Sequence, residues 1–129
     1  MLNTRVLNPQ LLSLLARVRH TNALVIADRG FPFWPDLETV DISLTDGVPT
    51  VLQVLAALRP DFHIAVAYMA REFQKHNPAA TRDQFARALA GVRLSYEPHA
   101  KLKQRVPSAI GLIRTGETIQ YANMILVSG

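Results

Sequence analysis

Two polar residues flank an apolar run near the start of the sequence. His20 lies three residues before Ala23–Ala27, and Asp28 follows that run directly. The run is typical of a strand covered on both faces, which needs neither polar end. An imidazole can donate and accept a proton near neutral pH, and a carboxylate can accept hydrogen bonds from hydroxyl groups. The pair therefore makes His20 a candidate general acid or base and Asp28 a candidate for binding a sugar or alcohol.

Both residues also have purely structural interpretations. Asp28 could cap the turn that follows the strand, as Asp and Asn often do. His20 could hydrogen-bond the last carbonyl groups of the helix before it. The spacing alone does not decide between the chemical and the structural interpretation for either residue.

Two further groups of polar residues lie next to predicted elements. His99 follows Pro98 at a predicted helix start, where free backbone amides favour anionic or hydroxyl oxygens. Tyr121, Ala122 and Asn123 lead into an apolar strand, and the tyrosine and asparagine side chains suit a polyol ligand. The alternatives are a surface histidine at position 99 and sheet-edge packing at Tyr121.

The other two histidines are predicted to lie outside any site, with His63 in a strand and His76 in a loop. No two of the four histidines have the one-turn spacing of a helical zinc site, and there is no cysteine. We therefore expect no metal site. Phosphate-binding glycine loops and nucleophile-elbow motifs are also missing from the sequence.

Composition indicates one α/β domain over residues 1–129. Hydrophobic residues make up 49% of the chain, charged residues 19%, and the net charge is +4. The basic residues are dispersed, with no interleaved aromatic stripe, so we expect no nucleic-acid partner. No apolar run approaches the ~20 residues of a membrane span, and no secretory signal pattern is present. The expected location is the cytoplasm, without a membrane partner.

Strands and helices are predicted to alternate, which favours a three-layer α/β/α domain with a largely parallel or mixed sheet. Asn8-Pro9 predicts a capped helix start, and Gly47-Val48-Pro49 predicts the start of a second helix. Thr81 and Gln84 predict a capping box for a helix that runs to about Leu89, and Pro98-His99 begins a short helical turn. The predicted strands are Ala23–Ala27, a short one around Val40 and Ile42, Phe62–Ala70, Val92–Tyr96, Ala109–Arg114 and Asn123–Val127.

The ordered set His20, Asp28, His99 and Tyr121-Ala122-Asn123 resembles the D-ribose pyranase and L-fucose mutarotase family. The likeness covers nearly the whole chain. Further matching segments are Val6–Asn8, Thr21, Gly30, Pro32, Val40-Asp41, Leu44-Thr45, Gly47–Pro49, Gln53–Leu55, His76–Pro78 and Arg114–Glu117. The Leu44–Pro49 run, His76–Pro78 and Tyr121–Asn123 are closer to the ribose branch.

The resemblance implies that the chain interconverts sugar ring forms, such as the β-pyranose and β-furanose of ribose. His20 matches the family's catalytic histidine and would be the proton donor. Asp28, His99 and Tyr121–Asn123 match substrate-binding positions, and Lys103 is a further candidate for the same wall. The resemblance also implies a ring-shaped homo-oligomer, typically a decamer of two stacked pentamers, with sites lined by adjacent subunits and no cofactor.

The chain departs from the family pattern at three positions, where Arg19 and Asn22 flank the histidine and Arg29 follows Asp28. Two alternatives therefore remain beside a ribose pyranase. One is an anomer mutarotase of the L-fucose type. The other is a non-catalytic sugar-binding or regulatory module on the same scaffold, for which the changed neighbours of His20 would mark lost catalysis.

Overall fold

Six strands form one mixed sheet in the computed structural model, which describes residues 1–129. The strand order across the sheet is β2-β5-β1-β6-β3-β4. Strand β6 runs antiparallel to β1 and β3, and every other neighbouring pair is parallel. The strands are β1 Ala23–Ala27, β2 Thr39–Asp41, β3 Ile64–Ala70, β4 Arg93–Glu97, β5 Gly111–Arg114 and β6 Met124–Ser128.

Helices cover both faces of the sheet. They are α1 Pro9–Arg17, α2 Val51–Leu58, α3 Arg71–His76, α4 Ala79–Ala88 and α5 His99–Arg105, which continues into a 3₁₀ turn at Val106–Ser108. Buried residues of α1 to α4 join one hydrophobic cluster, whereas Leu102 of α5 and Val106 of the 3₁₀ turn join a second one. None of these helices has the length and apolar character needed to cross a membrane.

Strand β1 is covered on both faces, as its composition predicts. Leu24 and Ile26 belong to the larger cluster and Val25 and Ala27 to the smaller one, because successive side chains of a strand point to opposite faces. All four are 0% exposed. The burial of alternate β1 side chains in two clusters, one on each face of the sheet, confirms the predicted α/β/α layering. The antiparallel strand β6 makes the sheet mixed.

The predicted helix starts are correct at three positions, one of them at His99, where α5 begins, and wrong at a fourth. Asn8 caps α1, since its Oδ1 accepts the backbone N–H of Leu11 at 2.9 Å, and α2 begins directly after Thr50. The capping box at Thr81 and Gln84 is wrong, because α4 begins at Ala79 and Thr81 already lies in its first turn.

Helix α3 is not evident from the sequence and places His76 on a helix, where a loop was expected. It has six residues, too few for a helical period to show. Its central Phe73 is 0% exposed and packs against Phe85 of α4, with ring centroids 4.7 Å apart. Tertiary packing therefore stabilises this short helix, as is usual for helices below about 12 residues.

The strand directions decide which polar residues can meet. The carboxyl ends of β1 to β5 all lie at the same end of the sheet, which we call the carboxyl edge. The antiparallel β6 begins at that edge. Asp28 after β1, His99 after β4 and Asn123 before β6 therefore reach one edge. His20 precedes β1 and lies at the opposite edge, where the N–H of Thr21 donates to the carbonyl of Ser128 at 2.9 Å.

The loop after β2 packs against the chain at Gly116, just beyond β5. The N–H of Gly47 donates to the carbonyl of Gly116 at 2.6 Å, and the N–H of Gly116 donates to that of Pro49 at 2.9 Å. A Cβ added at Gly116 would lie 2.6 Å from the carbonyl oxygen of Val48 and would also clash with that of Thr45. Only glycine allows this approach of two backbone segments.

We predict that Gly116→Ala lowers the free energy of unfolding by about 2 kcal/mol or more, since the added methyl group meets backbone rather than a mobile side chain. Gly30→Ala is the matched control, because the atom nearest to its added Cβ is 3.9 Å away; we expect a change of at most about 1 kcal/mol. Urea unfolding of both variants measures the difference, and equal stabilities would contradict the prediction.

Candidate active site at the carboxyl edge of the sheet

A cleft of about 320 Å³ opens at the carboxyl edge of the sheet. Ligands of open α/β sheets bind in this position. The structure thus brings together four residues singled out in the sequence, Asp28, His99, Tyr121 and Asn123. The complete lining is Asp28, Gly30, Phe31, Pro32, His99, Gln120, Tyr121 and Asn123.

Asp28 and Asn123 form a reciprocal pair at the floor of this site. The backbone N–H of Asp28 donates to Asn123 Oδ1 at 2.7 Å, and Asn123 Nδ2 donates to Asp28 Oδ2 at 3.2 Å. Asp28 Oδ1 also accepts the N–H of Gly30 at 3.0 Å, so the turn-capping interpretation of Asp28 is correct. A carboxylate has about four acceptor positions, which leaves capacity for ligand hydroxyl groups.

The loop that carries Asp28 is held by Arg114 of β5. Its guanidinium donates to the carbonyl of Asp28 at 3.1 Å and to that of Pro32 at 3.2 Å. Arg29 instead pairs with Asp46 at 2.8 Å on the surface, and it does not line the cleft. The unusual arginine after Asp28 therefore leaves the cleft open.

His99 is the first residue of α5 and is fixed through its backbone. Its N–H donates to the carboxylate of Glu72, with 3.0 Å and 3.2 Å to the two oxygens. The imidazole makes edge contacts with Phe31 and Tyr121, at centroid distances of 6.2 Å and 5.1 Å. Its Nδ1 is buried without a hydrogen-bond partner. Because a buried N–H without an acceptor is rarer than an unfilled lone pair, we assign the proton to Nε2, which makes His99 a donor.

The surroundings of His99 favour its neutral form. Burial lowers the pKa of His99 below its ordinary value of 6.5, and the positive charge of Lys103 lowers it further, since both disfavour an imidazolium. The carboxylates of Glu72 and Asp28 oppose this shift but are the smaller causes. Lys103 lies one helical turn after His99 and does not line the cleft, so its effect here is electrostatic.

Tyr121 and its neighbour Ala122 have different environments. Tyr121 lines the cleft, and its ring contacts those of His76, stacked at 5.3 Å, and His99, edge-on at 5.1 Å. Ala122 is 0% exposed, packs in the larger cluster and does not line the cleft.

His20 lies apart from the cleft within one chain. It is exposed, and the five residues of β1, about 17 Å of strand, separate its edge of the sheet from that of Asp28. The carbonyl groups of Ala16 and Val18 at the end of α1 are bound by Arg19 Nη1, at 2.6 Å and 3.0 Å. Arg19 thus makes the helix-terminal contacts considered for His20, and the imidazole remains at the surface.

Sequence reasoning missed Gln120, which lines the cleft, and also Glu72 and His76, which contact residues that line it. Glu72 and His76 lie on α3, which gave no helical signal, and Gln120 carries no motif of its own. Phe31, in the loop after β1, was not singled out either; it lines the cleft and belongs to the smaller hydrophobic cluster. No cluster of three or more histidine and acidic side chains is arranged as a metal site.

We predict that the pKa of His99 in the folded protein lies below 6.5 and that Lys103→Met raises it, because one of the causes that lower it is removed. Lys101→Met is the control, since Lys101 is exposed and is not among the causes of the shift. NMR titration of the histidine ring protons measures both variants. The unfolded chain binds this proton more readily than the folded one, so stability should also fall as the pH drops from 6.5 to the folded-state pKa. A pKa of 6.5 or above would contradict the prediction.

The chain is similar to known proteins over nearly its whole length. A family model described as the RbsD / FucU transport protein family matches residues 1–129. A D-ribose pyranase from Chromobacterium violaceum is 42% identical over 95% of this chain and 93% of its own. One from Halalkalibacterium halodurans is 40% identical over 96% and 94%.

Solved structures give the same assignment. Bacillus subtilis RbsD complexed with D-ribose matches with a TM-score of 0.93 and 30% identity, over 100% of this chain and 98% of its own. A Streptococcus pneumoniae fucose mutarotase in complex with L-fucose matches with a TM-score of 0.83 over 100% and 98%. Its 19% identity supports the fold alone. The match over the full length of the sequence shows that this chain belongs to the RbsD / FucU family.

Proposed function

We propose that this protein is a mutarotase that interconverts the pyranose and furanose forms of D-ribose or a related aldose. The observation that carries the proposal is the cleft itself, in which Asp28, His99, Tyr121 and Asn123 converge at the carboxyl edge. Relatives at about 40% identity over nearly the whole chain are D-ribose pyranases. A structural neighbour at 30% identity binds D-ribose.

The chemistry needs only proton transfer and orientation. To open a cyclic hemiacetal, the ring oxygen gains a proton while the anomeric hydroxyl loses one. The aldehyde then closes again through a different hydroxyl group, and the second ring form results without any other reactant. Positioned proton transfer typically contributes ~10²–10⁴-fold to a rate, which suits a reaction that already proceeds slowly in water.

The cleft residues have complementary roles in this proposal. Asp28 accepts hydrogen bonds from sugar hydroxyl groups, and Asn123 holds that carboxylate in place. His99, neutral and protonated on Nε2, donates to a sugar oxygen. Tyr121 offers its ring and hydroxyl, and the buried Ala122 connects it to Asn123. Lys103 contributes a positive charge near His99.

His20 remains the proposed proton donor, and its position requires a second copy of the chain. In a head-to-tail contact, the end of the sheet opposite the carboxyl edge, which carries His20, would lie against the carboxyl edge of the next copy. Such heterologous contacts close into rings when the rotation allows. The loops at the carboxyl edge expose Phe33, Leu44 and Val48, at 71%, 80% and 46%, which supports contact there.

The proposed assembly is the homodecamer of two stacked pentamers expected for this family. A cytoplasmic location is part of the same proposal. Each site would combine His20 of one copy with the cleft of its neighbour.

We predict that the wild-type protein speeds exchange between the β-pyranose and β-furanose signals of ribose in saturation-transfer NMR. His20→Ala should abolish this acceleration, because the proton donor is lost, and should leave the oligomer intact in sedimentation. An unchanged rate would remove His20 from proton transfer. Ribose binding without acceleration by the wild type would favour the non-catalytic module, and acceleration of L-fucose anomer exchange alone would favour the fucose-type mutarotase.

Mixing two inactive variants tests the shared site. We predict that His20→Ala and Asp28→Asn chains, unfolded and refolded together, regain activity, since a site can take Asp28 from one chain and His20 from the other. Random head-to-tail assembly of equal amounts restores about a quarter of the sites. Each variant refolded alone is the control. Mixed oligomers without activity would contradict a site built from two copies.

A further inference from the structure

Tyr121 has a backbone conformation that needs support. Its φ is +56°, in the left-handed region that bulky residues rarely adopt. It also lines the cleft, so the position of its ring affects the shape of the proposed sugar site. The neighbouring elements must therefore hold this segment in place.

The last turn of α3 and the residue after it provide that support through two contacts. The ring of His76 stacks on that of Tyr121, with centroids 5.3 Å apart and planes inclined by 30°. Asn77 Nδ2 donates to the carbonyl of Gln120, and also to that of Phe73 within α3, both at 2.9 Å. Asn77 thereby ties the segment before Tyr121 to the end of the helix.

Helix α3 is anchored without the help of His76. Phe73 is fully buried against Phe85, whereas His76 is an exposed residue at the end of the helix. The imidazole stack therefore adds little to the core. What it does is add a second aromatic contact that restricts the ring of Tyr121, beside that of His99, whose ring meets Tyr121 edge-on at 5.1 Å.

We infer that His76 is a positioning residue that holds the ring of Tyr121 in the orientation required for sugar binding. The inference rests on the proposed function and deepens it, since it adds a residue that affects substrate affinity through Tyr121. His76 then acts by the face of its ring and not by proton transfer, so another flat aromatic ring should replace it.

The test compares three variants by NMR exchange rates over a range of ribose concentrations. His76→Ala should raise KM about fivefold and leave kcat within about twofold, the loss expected for one aromatic pair. His76→Phe keeps a flat ring and should restore KM to near the wild-type value. Lys75→Ala is the matched control, an exposed change one residue away on the same helix.

A second measurement does not depend on activity. Stacking on Tyr121 should shift the ring-proton signals of His76 upfield, and Tyr121→Leu should remove that shift. An upfield shift in a protein that fails to accelerate ribose exchange would defeat the proposed function while leaving the stack intact. An active enzyme in which His76→Ala leaves KM unchanged, or lowers kcat instead, would overturn the positioning role. Thermal unfolding of His76→Ala checks that the variant is folded.

Discussion

The antiparallel direction of β6 is the constraint on which the site depends. This strand lies between β1 and β3 and pairs with both. Met124 pairs with Ile26 of β1, so Asn123 comes next to the carboxyl end of β1 and meets Asp28. A parallel strand in this place would begin at the opposite edge, and the amide and the carboxylate would then lie a strand length apart.

A second feature of the site is that its functional side chains are held by groups outside the cleft lining. Arg114 fixes the loop of Asp28, Glu72 fixes the backbone of His99, and Asn77 fixes the peptide before Tyr121. Donors and acceptors held in this way need little rearrangement when a ligand binds, which is the basis of electrostatic preorganisation. Two of these three groups lie on α3 or directly after it, so this short helix does more for the site than for the core.

The proposed mechanism requires an oligomer, because His20 lies far from the cleft of its own chain. A single chain has the cleft at one edge of the sheet and His20 at the other, and no change of side-chain rotamer spans the length of β1. In a head-to-tail ring, binding groups and proton donor would meet only at subunit contacts. The departures at Arg19 and Asn22 are compatible with that arrangement, since Asn22 Oδ1 accepts the N–H of Arg19 at 2.8 Å and Arg19 turns back onto the end of α1.

The sequence by itself determined the features that local patterns encode. The apolar run at Leu24–Ala27 indicated a strand buried on both faces, Asn8 indicated the start of α1, and the polar residues at strand ends indicated Asp28, His99 and Asn123. These signals depend on residue type and short-range spacing, and therefore do not require any tertiary contact. Only the tertiary structure decided which of them meet, because strand order and direction are set by packing between distant segments. For the same reason, it alone separated His20 from Asp28, formed α3 around Phe73 and brought His76 onto Tyr121.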